Sequence, residues 1–167
     1  MTVYWLLQQS ADVPEGDDWL SPFEHAVLAK YWAPKRRRDW RLGRWTAKNA
    51  LVRAGAIGNG AVRAPECARL SIRANEAGVP RVFVDDTDGE WEVSISHSGD
   101  FGLAAVARKS ATVGCDIETI GRRGQEFVVD WFTEAERALA AETSPEARSS
   151  IVTLIWSAKE SALKALG

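Results

Sequence analysis

The sequence predicts an α+β fold, with helices and strands gathered in separate runs. Three observations predict it. A short apolar strand leads into two proline-opened helical stretches; residues 69–120 then break into short extended runs separated by Gly, Asp and Pro; and the last third returns to helical periodicity.

The elements follow in order. "VYWLLQQ" reads as the first strand. "SPFEHAVLAKYW" opens a helix, with Ser21 as N-cap and Pro22 at the first helical position. Pro34 starts a longer helix through "KRRRDWRLGRWTAKNALVRAG", closed by Gly55. On it Leu42, Trp45, Asn49 and Val52 recur at helical steps, and Arg37, Arg41, Arg44 and Lys48 form a neighbouring stripe. "GNGAVRAPEC" reads as a loop, and the strands follow it, ending with "VGCDIETI". "GRRGQEF" is a polar connection. "VVDWFTEAERALAAE" is helical, with Thr133 and Glu136 spaced as a capping box. "SPEARSSIVTLIWSAKESALKALG" is the final helix, with Ser144 as N-cap and Pro145 at the first position.

The 167 residues suit one domain or two small packed ones. The net charge of −2 argues against a generic nucleic-acid binder, yet Lys35 to Arg53 holds eight Lys or Arg and one Asp. Two cysteines, Cys67 and Cys115, give neither a disulfide framework nor a zinc spacing and fit a reducing cytoplasm, with Cys115 a small core residue. No apolar stretch approaches a membrane span, and the N-terminus lacks the basic start and long apolar run of a signal peptide. Most of the eight Trp are expected in the core or packing helices, with a minority lining a site.

The chemistry centres on "GCDIE". In a strand Asp116 and Glu118 point the same way, so something positive belongs between them or water covers the face. On the final helix Trp156, Glu160 and Lys164 recur at four-residue steps. Taken alone, Glu160 and Lys164 are a surface ion pair. Taken with Asp116 and Glu118, Glu160 completes a set of hard oxygen donors of the kind magnesium shares with phosphates. The Arg-rich helix is then either a phosphate cradle or a solvated basic face. Ser96, His97, Ser98 and Gly99, where one strand turns into the next, suit either a turn or a phosphate contact. His25 reads as structural.

"RRRDWRLGRWTAKNAL", "VSISHSGDFGLAAVA", "VGCDIETI", "WFTEAER" and "IWSAKESALKALG", in this order, resemble the 4′-phosphopantetheinyl transferases, specifically the surfactin-synthetase-activating type with two similar halves in one chain. The resemblance implies Mg-dependent transfer of the phosphopantetheine arm of coenzyme A to a serine of an apo carrier protein, releasing adenosine 3′,5′-bisphosphate. It implies an N-terminal half over 1–110 and the start of a second half over 111–167. Asp116, Glu118 and Glu160 would hold magnesium, Glu160 or a water would take the serine proton, and Lys164 would steady the pyrophosphate. Arg44, with His97 and Ser96, would grip the nucleotide; Lys159, Arg37 and Arg38 would add phosphate contacts. Family members usually continue beyond "KESALKALG", so a partner chain or further segment is expected to cover the second half. A coenzyme A-binding module without turnover, and a nucleic-acid binder using helix 35–53, are the competing readings.

Overall fold

The computed structural model describes residues 2–58 and 62–167. Its elements run β1 (Tyr4–Gln9), α1 (Pro22–Leu28), α2 (Pro34–Arg53), α3 (Ala64–Cys67), β2 (Leu70–Ala74), β3 (Pro80–Val84), β4 (Thr87–Ser98), β5 (Phe101–Arg108), α4 (Gln125–Trp131), α5 (Glu134–Glu142) and α6 (Pro145–Leu166). The strands form one antiparallel sheet in the order β1-β5-β4-β3-β2, with helices around it, so the α+β class holds.

Local chemistry sets the boundaries. The Ser21 hydroxyl accepts from the Glu24 amide while the Glu24 carboxylate accepts from the Ser21 amide, and Pro22 stands at the first position of α1. Thr133 and Glu136 do the same for α5, and Ser144 caps α6. The box at Thr133 also divides the expected single helix over 128–142 into α4 and α5, because Phe132 and Thr133 are extended where the cap must form. α4 begins at Gln125, inside the expected polar connection. The loop expected over 58–67 lies partly outside the described residues, and its last four residues form α3. Asp85 and Asp86 (φ 48° and 63°) make a two-residue hairpin between β3 and β4, each held by an arginine, Arg69 and Arg73 respectively.

The main core lies between α2 and one sheet face. Leu42, Ala47, Leu51 and Val52 belong to this buried region with Ile72, Val82, Val93, Ala104 and Val106. A Cβ at Gly102 would lie 2.9 Å from both Leu42 Cγ and Thr46 Oγ1, which is why α2 sits so close to β5. A smaller cluster of Val128, Phe132, Ala140 and Val152 joins the three C-terminal helices. Trp19, Trp45 and Trp91 are buried, and Trp40 and Trp156 pack partly buried against the two clusters, so most of the eight are core or helix-packing residues as expected; Trp5, Trp32 and Trp131 are exposed.

Both cysteines are buried and free. Burial pushes the Cys67 thiol up to about 11, and burial raises Cys115 as well. Alkylation of Cys67 at pH 8 should therefore run on the order of a hundredfold more slowly than for an exposed thiol, with full reactivity restored in denaturant. Fast labelling of the folded chain, followed by mass spectrometry of the modified peptide, would contradict the burial of this residue.

Candidate functional site

β3 pairs with β4 only from Thr87 to Glu92, so no described strand covers the β3-side edge of β4 beyond Glu92. Against that edge lies a cleft of about 1130 Å³, walled by the start of α2 (Lys35, Arg36, Trp40, Arg44), the β2–β3 turn, Ile95 and His97 of β4, and the end of α6 including Lys164.

The acidic segment is extended but forms no sheet strand, which corrects the strand expected over 113–120. It lies on the sheet face opposite α2 and runs alongside β4. The amides of Cys115, Ile117 and Thr119 donate to the hydroxyls of Ser94, Ser96 and Ser98 at 3.0, 3.3 and 3.0 Å. Side-chain oxygens on alternate residues of one strand thus replace the carbonyls of a neighbouring strand. The Cys115 thiol turns toward the sheet and donates to the Ser94 carbonyl, while Asp116 and Glu118 reach α6. The shared direction expected of the two carboxylates is therefore present.

The positive charge expected between them is divided. Lys164 Nζ lies 2.6 Å from Asp116 Oδ1, whereas Glu118 takes Arg123 at 3.2 Å and the Trp156 indole N–H at 3.1 Å. Arg123 also stacks on Phe127 and Trp156. Glu160 stands one helical turn, about 6 Å of rise, from both Trp156 and Lys164. It therefore lies on the α6 stripe whose two ends touch Glu118 and Asp116, half-buried, and makes no hydrogen bond or ion pair among the described residues. Gly114 allows this approach, since a Cβ there would stand 1.9 Å from the Ser161 carbonyl oxygen.

Among the described residues, no three His, Cys, Asp or Glu side chains are grouped as a metal cage. The donor chemistry nevertheless fits a hard divalent cation. The Asp116 carboxylate pairs with Lys164 through Oδ1, but its Oδ2 is buried without a hydrogen-bond partner, which leaves an unsatisfied oxygen of the type such cations take as a ligand.

The remaining sequence-derived residues divide by location. Arg44 and His97 line the cleft. Arg44 is largely buried over the Trp40 ring, 3.9 Å from Glu24; its Nε has no hydrogen-bond partner, and burial lowers its pKa. Ser96 is buried and bonded to Asp116 instead of lining the cleft. Arg37 donates to the Leu28 carbonyl, Arg38 is exposed beside Asp39, and Lys159 pairs with Glu136 of the α5 capping box; none of the three lines the cleft. The basic stripe on α2 is mostly spent inside the molecule: Arg41 donates to the carbonyls of Pro14, Glu15 and Gly16, and Lys48 is buried against Glu24. This counts against a nucleic-acid surface. Sequence reasoning missed the roles of Arg123, Trp156 and the serine hydroxyls, because their partners are set by packing between segments that no local pattern connects.

Comparison with known proteins places these residues in a family. Residues 112–167, which hold Asp116, Glu118, Glu160 and Lys164, match the model of the 4′-phosphopantetheinyl transferase superfamily. The holo-[acyl-carrier-protein] synthase of Streptococcus agalactiae (strain NEM316) is 36% identical over 73 residues, 44% of this chain and 59% of that protein. The chain thus spans less than two thirds of that relative's length. The synthase of Streptococcus thermophilus (strain LMD-9) is 34% identical over 107 residues, 60% of this chain and 87% of that protein. The fold matches the Bacillus anthracis holo-(acyl-carrier-protein) synthase, solved in complex with CoA (3′,5′-ADP), at a TM-score of 0.51 and 22% identity, over 62% of this chain and 91% of that one. These relatives are holo-acyl-carrier-protein synthases, which supports the superfamily and not the narrower surfactin-synthetase-activating type. The motif match and the extent of the S. thermophilus similarity together place this chain in the 4′-phosphopantetheinyl transferase superfamily.

Proposed function

We propose that the chain transfers the 4′-phosphopantetheine group of coenzyme A to a serine hydroxyl of an apo carrier protein and releases adenosine 3′,5′-bisphosphate, with magnesium held by Asp116, Glu118 and Glu160. The observation that carries this reading is the buried, unpartnered Asp116 Oδ2, on a carboxylate bonded to Lys164, which itself lines the cleft with Arg36, Arg44 and His97. A bound magnesium ion would supply charge neutralisation at the pyrophosphate. Arg44, Arg36 and His97, which line the cleft, would bind the phosphates and the nucleotide end. Lys164 offsets negative charge at the oxygens of the phosphorus under attack. As the serine oxygen bonds to that phosphorus, the bond to the departing adenosine bisphosphate breaks and the serine proton passes to Glu160, directly or through water.

The test is incubation with coenzyme A, magnesium and apo carrier protein, with mass spectrometry of the carrier. Wild type should add the phosphopantetheine arm. Glu160→Gln should lower the rate by roughly a hundredfold or more, and Asp116→Asn should abolish transfer at ordinary magnesium. Equal rates in the Asp116→Asn variant would remove the reading.

The same reading takes residues 1–110 as one half of a two-half enzyme and 111–167 as the start of the other, supported by the two separate hydrophobic clusters. The cytoplasm suits it: both cysteines are free, and no described helix is long and apolar enough to cross a membrane. Exposed Trp5, Ile120, Leu154, Leu163 and Leu166 favour a further segment or partner chain over this region. They also favour the second reading, a chain that holds coenzyme A but needs that cover for turnover. Calorimetric binding of coenzyme A without carrier modification would select it.

A further inference from the structure

Ser96 has one hydroxyl proton and two acceptor lone pairs. The Ile117 amide donates to its oxygen at 3.3 Å and Lys164 Nζ at 3.2 Å. An amide N–H and an ammonium can only donate, so both lone pairs are taken. The hydroxyl proton is left with one acceptor in reach, Asp116 Oδ1 at 2.8 Å. The direction of that bond is therefore forced by its surroundings. Oδ1 receives Ser96 and Lys164 together, and Oδ2 is left buried with no partner. Ser98 provides a comparison within the same ladder: it accepts from the Thr119 amide and bonds the Thr119 hydroxyl, but touches neither Asp116 nor Glu118.

We propose that Ser96 is a positioning residue for Asp116, pinning one carboxylate oxygen so that the other is presented to a divalent cation; this rests on the reading of Asp116 as a cation ligand. The role differs from the nucleotide contact that the motif suggests for Ser96. It assigns a task to a buried hydroxyl that acts on the cation through another residue. Lys164 takes part in the same arrangement, because its ammonium occupies the second lone pair and so excludes the alternative in which Ser96 donates elsewhere.

The test titrates manganese into the full chain and reads free metal by electron paramagnetic resonance, without coenzyme A and without turnover. Wild type should bind one ion, and Asp116→Asn should lose it. Ser96→Ala should weaken binding by roughly tenfold to a hundredfold, the range for groups that orient a ligand. Ser96→Thr, which keeps the hydroxyl, should restore most of the affinity, and Ser98→Ala should leave it unchanged. If Ser96→Ala does not fold, Ser96→Cys keeps the shape, loses the strong donor and should show the same weakening. Wild-type affinity in Ser96→Ala or Ser96→Cys, with Asp116→Asn still defective, overturns the positioning role alone. Absence of Asp116-dependent binding in wild type overturns the cation reading, and the positioning role with it.

Discussion

Replacing Lys48 with methionine should cost the fold about 3–5 kcal/mol, the range for removing one partner of a buried ion pair. Lys48 and Glu24 are both fully buried, with Nζ 2.5 Å from Oε2. The ammonium also donates to the carbonyls of Trp19 and Cys67 at 2.9 and 3.1 Å, so all three protons are used. The Glu24 carboxylate accepts from the Ser21 and Ile72 amides at 3.0 and 3.1 Å. It thereby ties the start of α1 to β2 while Lys48 ties both to α2. Burial pulls the Lys48 pKa down, and Glu24 pulls it back. Without Lys48 the carboxylate keeps its two amide donors but, among the described residues, only Arg44 at 3.9 Å as a nearby cation, and two buried carbonyls lose their donor. Urea unfolding should show the loss as a lower midpoint. The pair Glu24→Gln and Lys48→Met together should cost less than the sum of the two changes made singly, because each single change strands the other charge or dipole. A cost under about 1 kcal/mol for Lys48→Met would show that the pair is not desolvated. The same substitution bears on the cleft, since Arg44 would then be drawn toward an unneutralised Glu24.

The α2 stripe shows where a sequence can and cannot be read. Spacing placed Arg37, Arg41, Arg44 and Lys48 on one side of a helix, and the helix is there. Whether that side meets water, a ligand or protein carbonyls depends on residues 14–16, 19, 24, 28 and 67, which no local pattern connects to it. Caps behave differently. Ser21, Thr133 and Ser144 act within three residues of themselves, so their role is written locally and survives folding. The acidic segment falls between these cases. Its alternation was legible and holds, since Asp116 and Glu118 do share a side. Its partner was not legible: a run such as "VSISHS" signals a strand with alternating small polar residues, and only the packed molecule shows the three hydroxyls serving as acceptors for another segment. The residues given by spacing on α6, Trp156, Glu160 and Lys164, kept their common stripe because a helix fixes it without outside help.

Gly114→Ala should displace α6 and destabilise the chain by about 3 kcal/mol or more, at or beyond the upper end for overpacked sites. The added Cβ would lie 1.9 Å from the Ser161 carbonyl oxygen, 2.7 Å from the Ala165 nitrogen and 3.0 Å from the Ala165 Cβ. Two of these three are backbone atoms of a helix. They cannot rotate aside as Leu42 or Thr46 could at Gly102, where the crowding atoms belong to side chains. Relief therefore requires α6 to move away from residues 113–119 or that segment to lift from the serines. Either movement separates Lys164 from Asp116 and Trp156 from Glu118, so stability and site geometry should fail together. Cys115 reports the movement. It is buried, with its amide and thiol both bonded to Ser94, and an opened segment would expose it to a thiol reagent. Labelling of Cys115 in folded Gly114→Ala should be faster than in wild type while Cys67, in the main core, stays protected. Wild-type unfolding and equal protection of both thiols would mean that α6 does not rest on Gly114. The carboxylates of the proposed site would then need another explanation for their alignment with the helix.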